Sequence, residues 1–375
     1  MFRIGCKDTL YHGNTKKIGK FRVFDMNFIR YFDPIPWILK ETTMNYNHKK
    51  VKGLGLCSGG LDSMLAGLVL REQGIQVEWV AFETPFFSSE KARNASRTTG
   101  IPLTVQNITD EYLTMLKSPN CGYGKHMNPC LDCHALMFRL AGNVMTQQGF
   151  DFLFSGEVLG QRPMSQTRPS LRYVEKNSGY EGYIVRPLSA KRLSESIPEK
   201  NGLINRDLLL DITGRGRKDQ IKLAASLGIK DYPAPAGGCL LTDKGYSNRL
   251  RDLFKHQSDY TENALHLLKF GRHFRIDAQT KIIVGRTKAD NMDITHHINP
   301  DRDVVLKLRR NPGPVVVIPN GASNEMILLA ASLCAGYGKV QNDTPAQVKV
   351  TSKSGSQVVT VLGLPPKNFS RYLLR

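Results

Sequence analysis

The sequence predicts a doubly wound parallel α/β domain followed by a smaller α+β module. Three observations carry this. Short apolar runs alternate with helix-patterned segments from Val51 onward, a Gly-rich turn joins the first run to the first helix, and closely spaced short strands dominate beyond about residue 260.

The first run, "VKGLGL", ends in "CSGGLDS", and "MLAGLVLREQG" follows with helical spacing and a glycine stop. "QVEWVAFE" reads as a second strand, "SEKARNASRTTG" as a helix and "IPLTVQNIT" as a third strand. "HALMFRLAGNVMTQQG" is helical and "FDFLFSGE" is a further buried strand. Strands alternating with helices imply a parallel sheet with both faces covered. Around 200–230 a turn and an amphipathic helix precede the Pro/Gly-rich "KDYPAPAGGCLLTD". Then come the strands "KIIVG", "DVVLKL", "GPVVVI", "QVKVTS" and "QVVTVLG", interrupted by a helix over 322–335. The expected organisation is an α/β domain over 49–200, a linking helical segment over 201–260 and the α+β module over 261–375.

Residues 1–48 mix aromatic and basic residues without a period. They are too polar at the front for a secretory signal and contain acids that a transit peptide lacks. They are expected to be an extension, disordered or arising from an upstream start, with Met44 just before the first convincing element. Cys6 is assigned no role.

At 375 residues and 41% hydrophobic, the chain can fill two or three domains. No run of about 18 apolar residues appears, so a membrane span is excluded at this level. Seven cysteines in a long chain without a small cysteine-dense secreted domain fit a reducing cytoplasm, where clustered thiols bind metal or do chemistry. The formal net charge of +19 favours a polyanionic partner, nucleic acid first.

In "LCSGGLDSM", Gly59 and Gly60 let the backbone turn so that successive N–H groups face an anion at a helix start. Ser58 and Ser63 add hydroxyls, Leu61 belongs to the same expected cofactor-binding stretch, and Asp62 can hold a magnesium ion. A capped glycine turn is the structural alternative. The pattern is neither that of the Walker loop nor that of the dinucleotide loop. It resembles the pyrophosphate loop (PP-loop) of the N-type ATP pyrophosphatases, a family with a Rossmann-like sheet that includes GMP synthetase, asparagine synthetase and tRNA-thiolating enzymes. The resemblance implies ATP as cosubstrate, Mg²⁺ on Asp62, and adenylation of a carbonyl oxygen.

In "HMNPCLDCH" (126–134), Cys130 and Cys133 by themselves allow a redox pair, half of a zinc site completed by Cys121, His126 or His134, or two buried thiols. A third cysteine, Cys239, follows two glycines, 106 residues after Cys133. Here the chain is similar to the tRNA 2-thiouridylases, whose Asn-Pro-Asp-x-x-Cys segment is overlaid by "NPCLDC" (128–133), and whose second cysteine falls where Cys239 does. Cys130 stands at the family's aspartate. The resemblance implies either a [4Fe–4S] cluster on Cys130, Cys133 and Cys239, with one iron open to a sulfide, or a persulfide relay on Cys239 and Cys133. Three cysteines in place of two and an aspartate favour the cluster. "DFLFSGEVLGQRPMSQ" matches an active-site strand and loop, with Ser155-Gly156-Glu157 replacing the usual Thr-Gly-His. "YIVRPLSAK" and "GRGRKDQIKLAASLGI" extend the match, which covers roughly 50–245. "KFGRHFRIDAQTKIIVGRTKADN" (269–291) resembles an RNA-associated module more loosely.

The implied function is a tRNA thiouridine synthase taking sulfur from sulfide or a cysteine desulfurase system, with Cys130, Cys133, Cys239 and Asp62 as its chemical residues. The alternatives are a zinc-bearing PP-loop enzyme acting on a small molecule and a non-catalytic RNA-binding protein. Cys57 and Cys334 are expected in the core, and Cys121 in a loop as a possible fourth ligand or sulfur acceptor. "TGRGRK" and "KLRRNPG" suit phosphate contacts. Phe270, His273 and Phe274, between Arg272 and Arg275, suit either base stacking or core burial.

Overall fold

The computed structural model describes residues 50–234, 238–338, 340 and 344–375. The expectations for residues 1–48 lie outside them.

The first part runs β1 (Lys52–Leu56), α1 (Leu61–Glu72), β2 (Gln76–Glu83), α2 (Glu90–Thr99), β3 (Leu103–Asn107), α3 (Thr109–Lys117), α4 (Cys130–Gln148), β4 (Phe152–Ser155), α5 (Arg168–Ser178) and β5 (Ile184–Val185). The five strands form one sheet in the order β3-β2-β1-β4-β5, every pairing parallel. Side chains alternate between two cores, as a pleated strand covered on both faces requires. Val77, Trp79, Ala81, Phe152 and Phe154 face one core with α1; Val80, Phe82 and Leu153 face the other with α3 and α4.

The segment expected as a linker clads the same sheet. α6 (Ile197–Lys200) and α7 (Lys218–Ser226) lead into α8 (Lys244–His256) and α9 (Glu262–Leu267). Ile204, Leu209, Ile212 and Ala224 enter the first core, whereas Leu241, Tyr246, Leu250 and Leu253 enter the second.

Beyond it lie β6 (Arg272–Arg275), β7 (Lys281–Val284), α10 (Lys288–His296), β8 (Val304–Leu308), β9 (Val316–Ile318), α11 (Asn324–Tyr337), β10 (Ala346–Ser352) and β11 (Gly355–Val361). The six strands form an antiparallel sheet in the order β11-β10-β8-β9-β7-β6. α11 buries Ala330, Ala331, Leu333 and Cys334 with Phe274, Ile282, Leu306 and Val316. The α+β module is therefore present, with β6 as a strand the apolar pattern did not announce.

In the parallel sheet the chain lays β1, β2 and β3 to one side and returns to place β4 and β5 on the other. The reversal falls between β1 and β4, and loops leaving the carboxyl ends of such strands form a ligand crevice. Those two loops carry residues 57–60 and 156–157. α4 precedes β4 in the same α/β winding, so its first turn, with Cys130 and Cys133, belongs to this end of the sheet.

Candidate active site

The glycine turn lies between β1 and α1, at a strand–helix junction. Gly60 is the N-cap of α1 and no side chain caps that helix, so its first backbone N–H groups remain available to an anion. Gly59 has φ +72°, and a Cβ there would stand 2.1 Å from the carbonyl carbon of Lys91. A glycine is therefore needed twice over, for the torsion and for the approach of α2. Gly60 N–H donates weakly to Ser58 Oγ at 3.4 Å. The Ser63 hydroxyl is buried and donates to the Gly60 carbonyl at 2.8 Å, so it braces the turn. Asp62 accepts a 2.7 Å hydrogen bond from Gln161 Nε2 on Oδ2, while its Oδ1 is buried without a partner. A buried orphan carboxylate oxygen is costly unless something absent from the protein satisfies it, and a magnesium ion fits that need.

The loop after β4 is pressed against this turn. A Cβ on Gly156 would lie 2.3 Å from the Asp62 carbonyl carbon and 2.4 Å from Ser63 N. Glu157, next in line, is buried and accepts from Arg186 Nε at 2.9 Å. Its other oxygen lies 3.0 Å from His134 Nδ1, one residue past Cys133. Arg186 also pairs with Glu175. Burial pushes the Glu157 carboxyl up, but the Arg186 guanidinium and His134 outweigh it and hold it down at about 2. His134 is thereby committed to a carboxylate, in place of the zinc role open to it in the sequence.

Cys130, Cys133 and Cys239 are all free, half-buried thiols. They belong to one environment. Burial and then the neighbouring Cys239 push the Cys133 thiol up, with Cys130 adding to the effect. Burial raises Cys239 to about 11, Cys130 again contributing. Cys130 Sγ accepts from Asn128 Nδ2 at 3.2 Å. Asp132, between the cysteines, is buried and takes Tyr173 Oη at 2.7 Å and Cys121 N–H at 2.8 Å. The exposed Cys121 thiol keeps company with Tyr173.

Among the described residues no group of three or more His, Cys, Asp or Glu gathers so as to hold a metal ion. A single zinc needs its ligands converging on one point at about 2.3 Å. A [4Fe–4S] cluster offers each thiolate its own iron, so its ligands lie near one another without converging. The donor set, three free thiols and no disulfide, suits the cluster in kind.

Two buried tyrosines flank these thiols. Tyr112 is fully buried beside Phe86 and Phe87, and its hydroxyl has no partner of standard geometry, only the Cys133 sulfur within its influence. Tyr246 donates to the Leu265 carbonyl at 3.3 Å. Neither tyrosine stood out in the sequence, nor did Gln161, because each acts through a partner remote along the chain.

Cys57 and Cys334 are core residues as expected, burial raising their thiols to about 11 and about 12. Of the two readings open for 270–275, core burial holds for His273 and Phe274. His273 and Phe274 are buried, His273 Nε2 lies 2.8 Å from the Phe270 carbonyl oxygen, and Arg275 grips Asp252 at 2.9 and 2.8 Å. Both faces of β6 are covered, so adjacent residues go inside. Phe270 stacks on His297. No helix among the described residues is long and apolar enough to cross a membrane.

Two family models match separate parts of the chain. Residues 49–197 match the family described as "Thiamine biosynthesis protein (ThiI)", and residues 271–373 match "NFACT protein RNA binding domain". A "Probable tRNA sulfurtransferase" of Oceanobacillus iheyensis is 29% identical over 167 residues, 39% of this chain and 37% of that protein. One of the same description from Lachnospira eligens is 32% identical over 130 residues, 32% of this chain and 31% of its own. The chain thus spans about a third of the length of the curated relatives it matches. A solved 4-thiouridine synthetase in complex with RNA and bound ATP covers 48% of this chain and 52% of its own, at 22% identity and TM-score 0.31. The likeness to tRNA-thiolating PP-loop enzymes, and the looser likeness of 269–291 to an RNA-associated module, are borne out.

Proposed function

We propose that this chain is an ATP-dependent tRNA sulfurtransferase that turns a uracil carbonyl into a thiocarbonyl. One observation carries the reading: an uncapped, glycine-turned helix start and a set of three free thiols stand at the same end of one parallel sheet, joined through Gly156, Glu157 and His134. The family match over 49–197 and the RNA-binding match over 271–373 support it.

In this reading the backbone N–H groups of Gly60, Leu61 and Asp62 face the phosphates of ATP, with Ser58 at the mouth of the turn. Asp62 would hold Mg²⁺, whose charge offsets that of the phosphates. The uracil oxygen attacks the α-phosphorus and pyrophosphate leaves. Hydrosulfide, or a persulfide sulfur with two reducing electrons supplied by a thiol, then adds to the activated carbon. AMP departs with the former carbonyl oxygen. A [4Fe–4S] cluster on Cys130, Cys133 and Cys239 would supply an iron free of protein thiolate as a site for sulfide. The protein itself positions the two reactants and excludes water. The uridine must leave its stack to be reached.

The test is to purify the protein anaerobically, measure its visible spectrum with iron and sulfide content, and digest tRNA to nucleosides after incubation with ATP and sulfide. A broad band near 400 nm with about four irons per chain, lost in Cys130→Ala, together with thiouridine formed in step with pyrophosphate, is the expected result. Colourless protein that forms thiouridine with a persulfide donor would replace the cluster with the relay. ATP cleavage without any tRNA product would overturn the reading in favour of a small-molecule substrate.

A further inference from the structure

The six-stranded sheet leaves part of one face uncovered. α10 packs Ile294 over Val305, Val315 and Val317, so it shields the β7, β9 and inner β8 region. Beside it runs an open groove lined by Lys288, Met292 and His296 of α10 and by Lys307 of β8. The register places Lys349 of β10 directly opposite Lys307, and Val358 of β11 opposite Lys349. Paired residues of adjacent strands share a face, so the groove continues across the sheet.

Its charge is uncompensated. Like charges directly opposed across strands are destabilising, yet among the described residues neither Lys307, Lys349 nor Lys288 pairs with a carboxylate. The nearby acids do not offset this charge: Asp290 is paired with Arg286 at 2.6 Å, and Asp293 does not line the groove. No acidic side chain lines the groove. Met292 is 64% exposed and Val358 45% exposed, leaving apolar surface between the lysines.

We infer that this groove seats an RNA strand, with phosphates on Lys288, Lys307 and Lys349 and bases against Met292, Val358 and the His296 ring. Cations spaced along an open channel neutralise a backbone, and interleaved flat or apolar side chains receive bases without reading sequence. The match of residues 271–373 to an RNA binding domain favours RNA over an acidic protein surface as the occupant. The inference rests on the tRNA reading above for its choice of tRNA as the RNA.

The experiment is fluorescence anisotropy of labelled bulk tRNA, and of poly(U), against the full chain at several salt concentrations. Wild type is compared with Lys288→Ala/Lys307→Ala/Lys349→Ala and with the corresponding triple arginine variant. Losing three phosphate contacts should lower the slope of log K against log salt by about 2 and weaken binding at least tenfold at about 0.1 M salt. The arginine variant should bind like wild type, and ATP binding should be unchanged in all three. Unaltered affinity and slope in the alanine variant overturn the groove while leaving thiolation intact. Lysine-dependent binding of poly(U) without binding of tRNA supports the groove and sinks the tRNA reading. Binding of neither RNA by wild type sinks both.

Discussion

His134 Nδ1 lies 3.0 Å from Glu157 Oε1, and this contact ties the helix start bearing Cys130 and Cys133 to the loop packed on the phosphate turn. Glu157 is held from behind by Arg186, itself buried and paired with Glu175. The arrangement fixes the start of α4 relative to the turn before α1.

Glu157 should give the protein a distinct acid limb. Its folded carboxyl sits at about 2, against an ordinary 4.5. A depressed carboxylate contributes stability that is fully present above its unfolded value and is lost as pH falls through the folded one. The window therefore runs from about pH 4.5 down to about pH 2, and the contribution is about 3 kcal/mol. Urea unfolding across that range should show a larger loss in wild type than in Glu157→Gln, which keeps only the acid limb of other depressed carboxylates such as Asp252 and Asp290. Equal acid limbs in the two proteins would show that Glu157 is not the group responsible.

Gly59 and Gly156 should be irreplaceable for reasons of space. Gly59→Ala and Gly156→Ala should abolish ATP binding in calorimetry, because the added carbon meets backbone within 2.4 Å at each site. Gly74, with φ +77° and nothing within 4 Å of its would-be Cβ, is the control. Gly74→Ala suffers only the torsional strain, of order 1–3 kcal/mol, and should bind ATP normally. Normal binding by Gly156→Ala would show that the β4 loop does not shape the phosphate site.

The parallel sheet was legible because its strands are apolar runs buried on both faces and its first turn has glycines at a strand–helix junction. "QVEWVAFE" is β2 residue for residue. β6 was not legible, because "RHFR" has neither period and His273 is buried through a hydrogen bond to a backbone carbonyl. The segment 201–260 looked like a linker, since its core residues are divided between two faces of a sheet formed far earlier in the chain. At the site, the cysteines and the turn were visible one by one. The Glu157–Arg186 pair was not, because 29 residues separate partners that only the β4–β5 pairing brings together.

Tyr112 and Tyr246 should differ in what their hydroxyls do for the sulfurs. Tyr112 has its hydroxyl free for the Cys133 sulfur, and Tyr246 spends its own on Leu265. Hydrogen bonds to ligating sulfur raise a cluster's reduction potential by favouring the more negative state. If the proposed cluster is held by Cys133, Tyr112→Phe should move its midpoint potential downward by tens of millivolts and Tyr246→Phe should leave it in place. Both keep the ring, so packing is conserved. Equal potentials in wild type and Tyr112→Phe would reduce Tyr112 to a packing residue.

Asp252 should be the pin between the two sheets' surroundings. From α8 it receives Arg275 of β6 at 2.8 Å, Lys281 of β7 at 3.1 Å and His256 at 3.3 Å. Lys281 is only 3% exposed and burial brings its ammonium down to about 8, with Asp252 opposing the fall. Removing the carboxylate strands a buried cation, a change that costs about 3–5 kcal/mol. Asp252→Ala should lose stability on that scale in chemical denaturation. Adding Lys281→Met removes the stranded charge at similar volume and should recover a large part of the loss. A double variant no more stable than Asp252→Ala would place the cost on Arg275 instead, and Arg275→Met in the same background would then be the substitution that restores it.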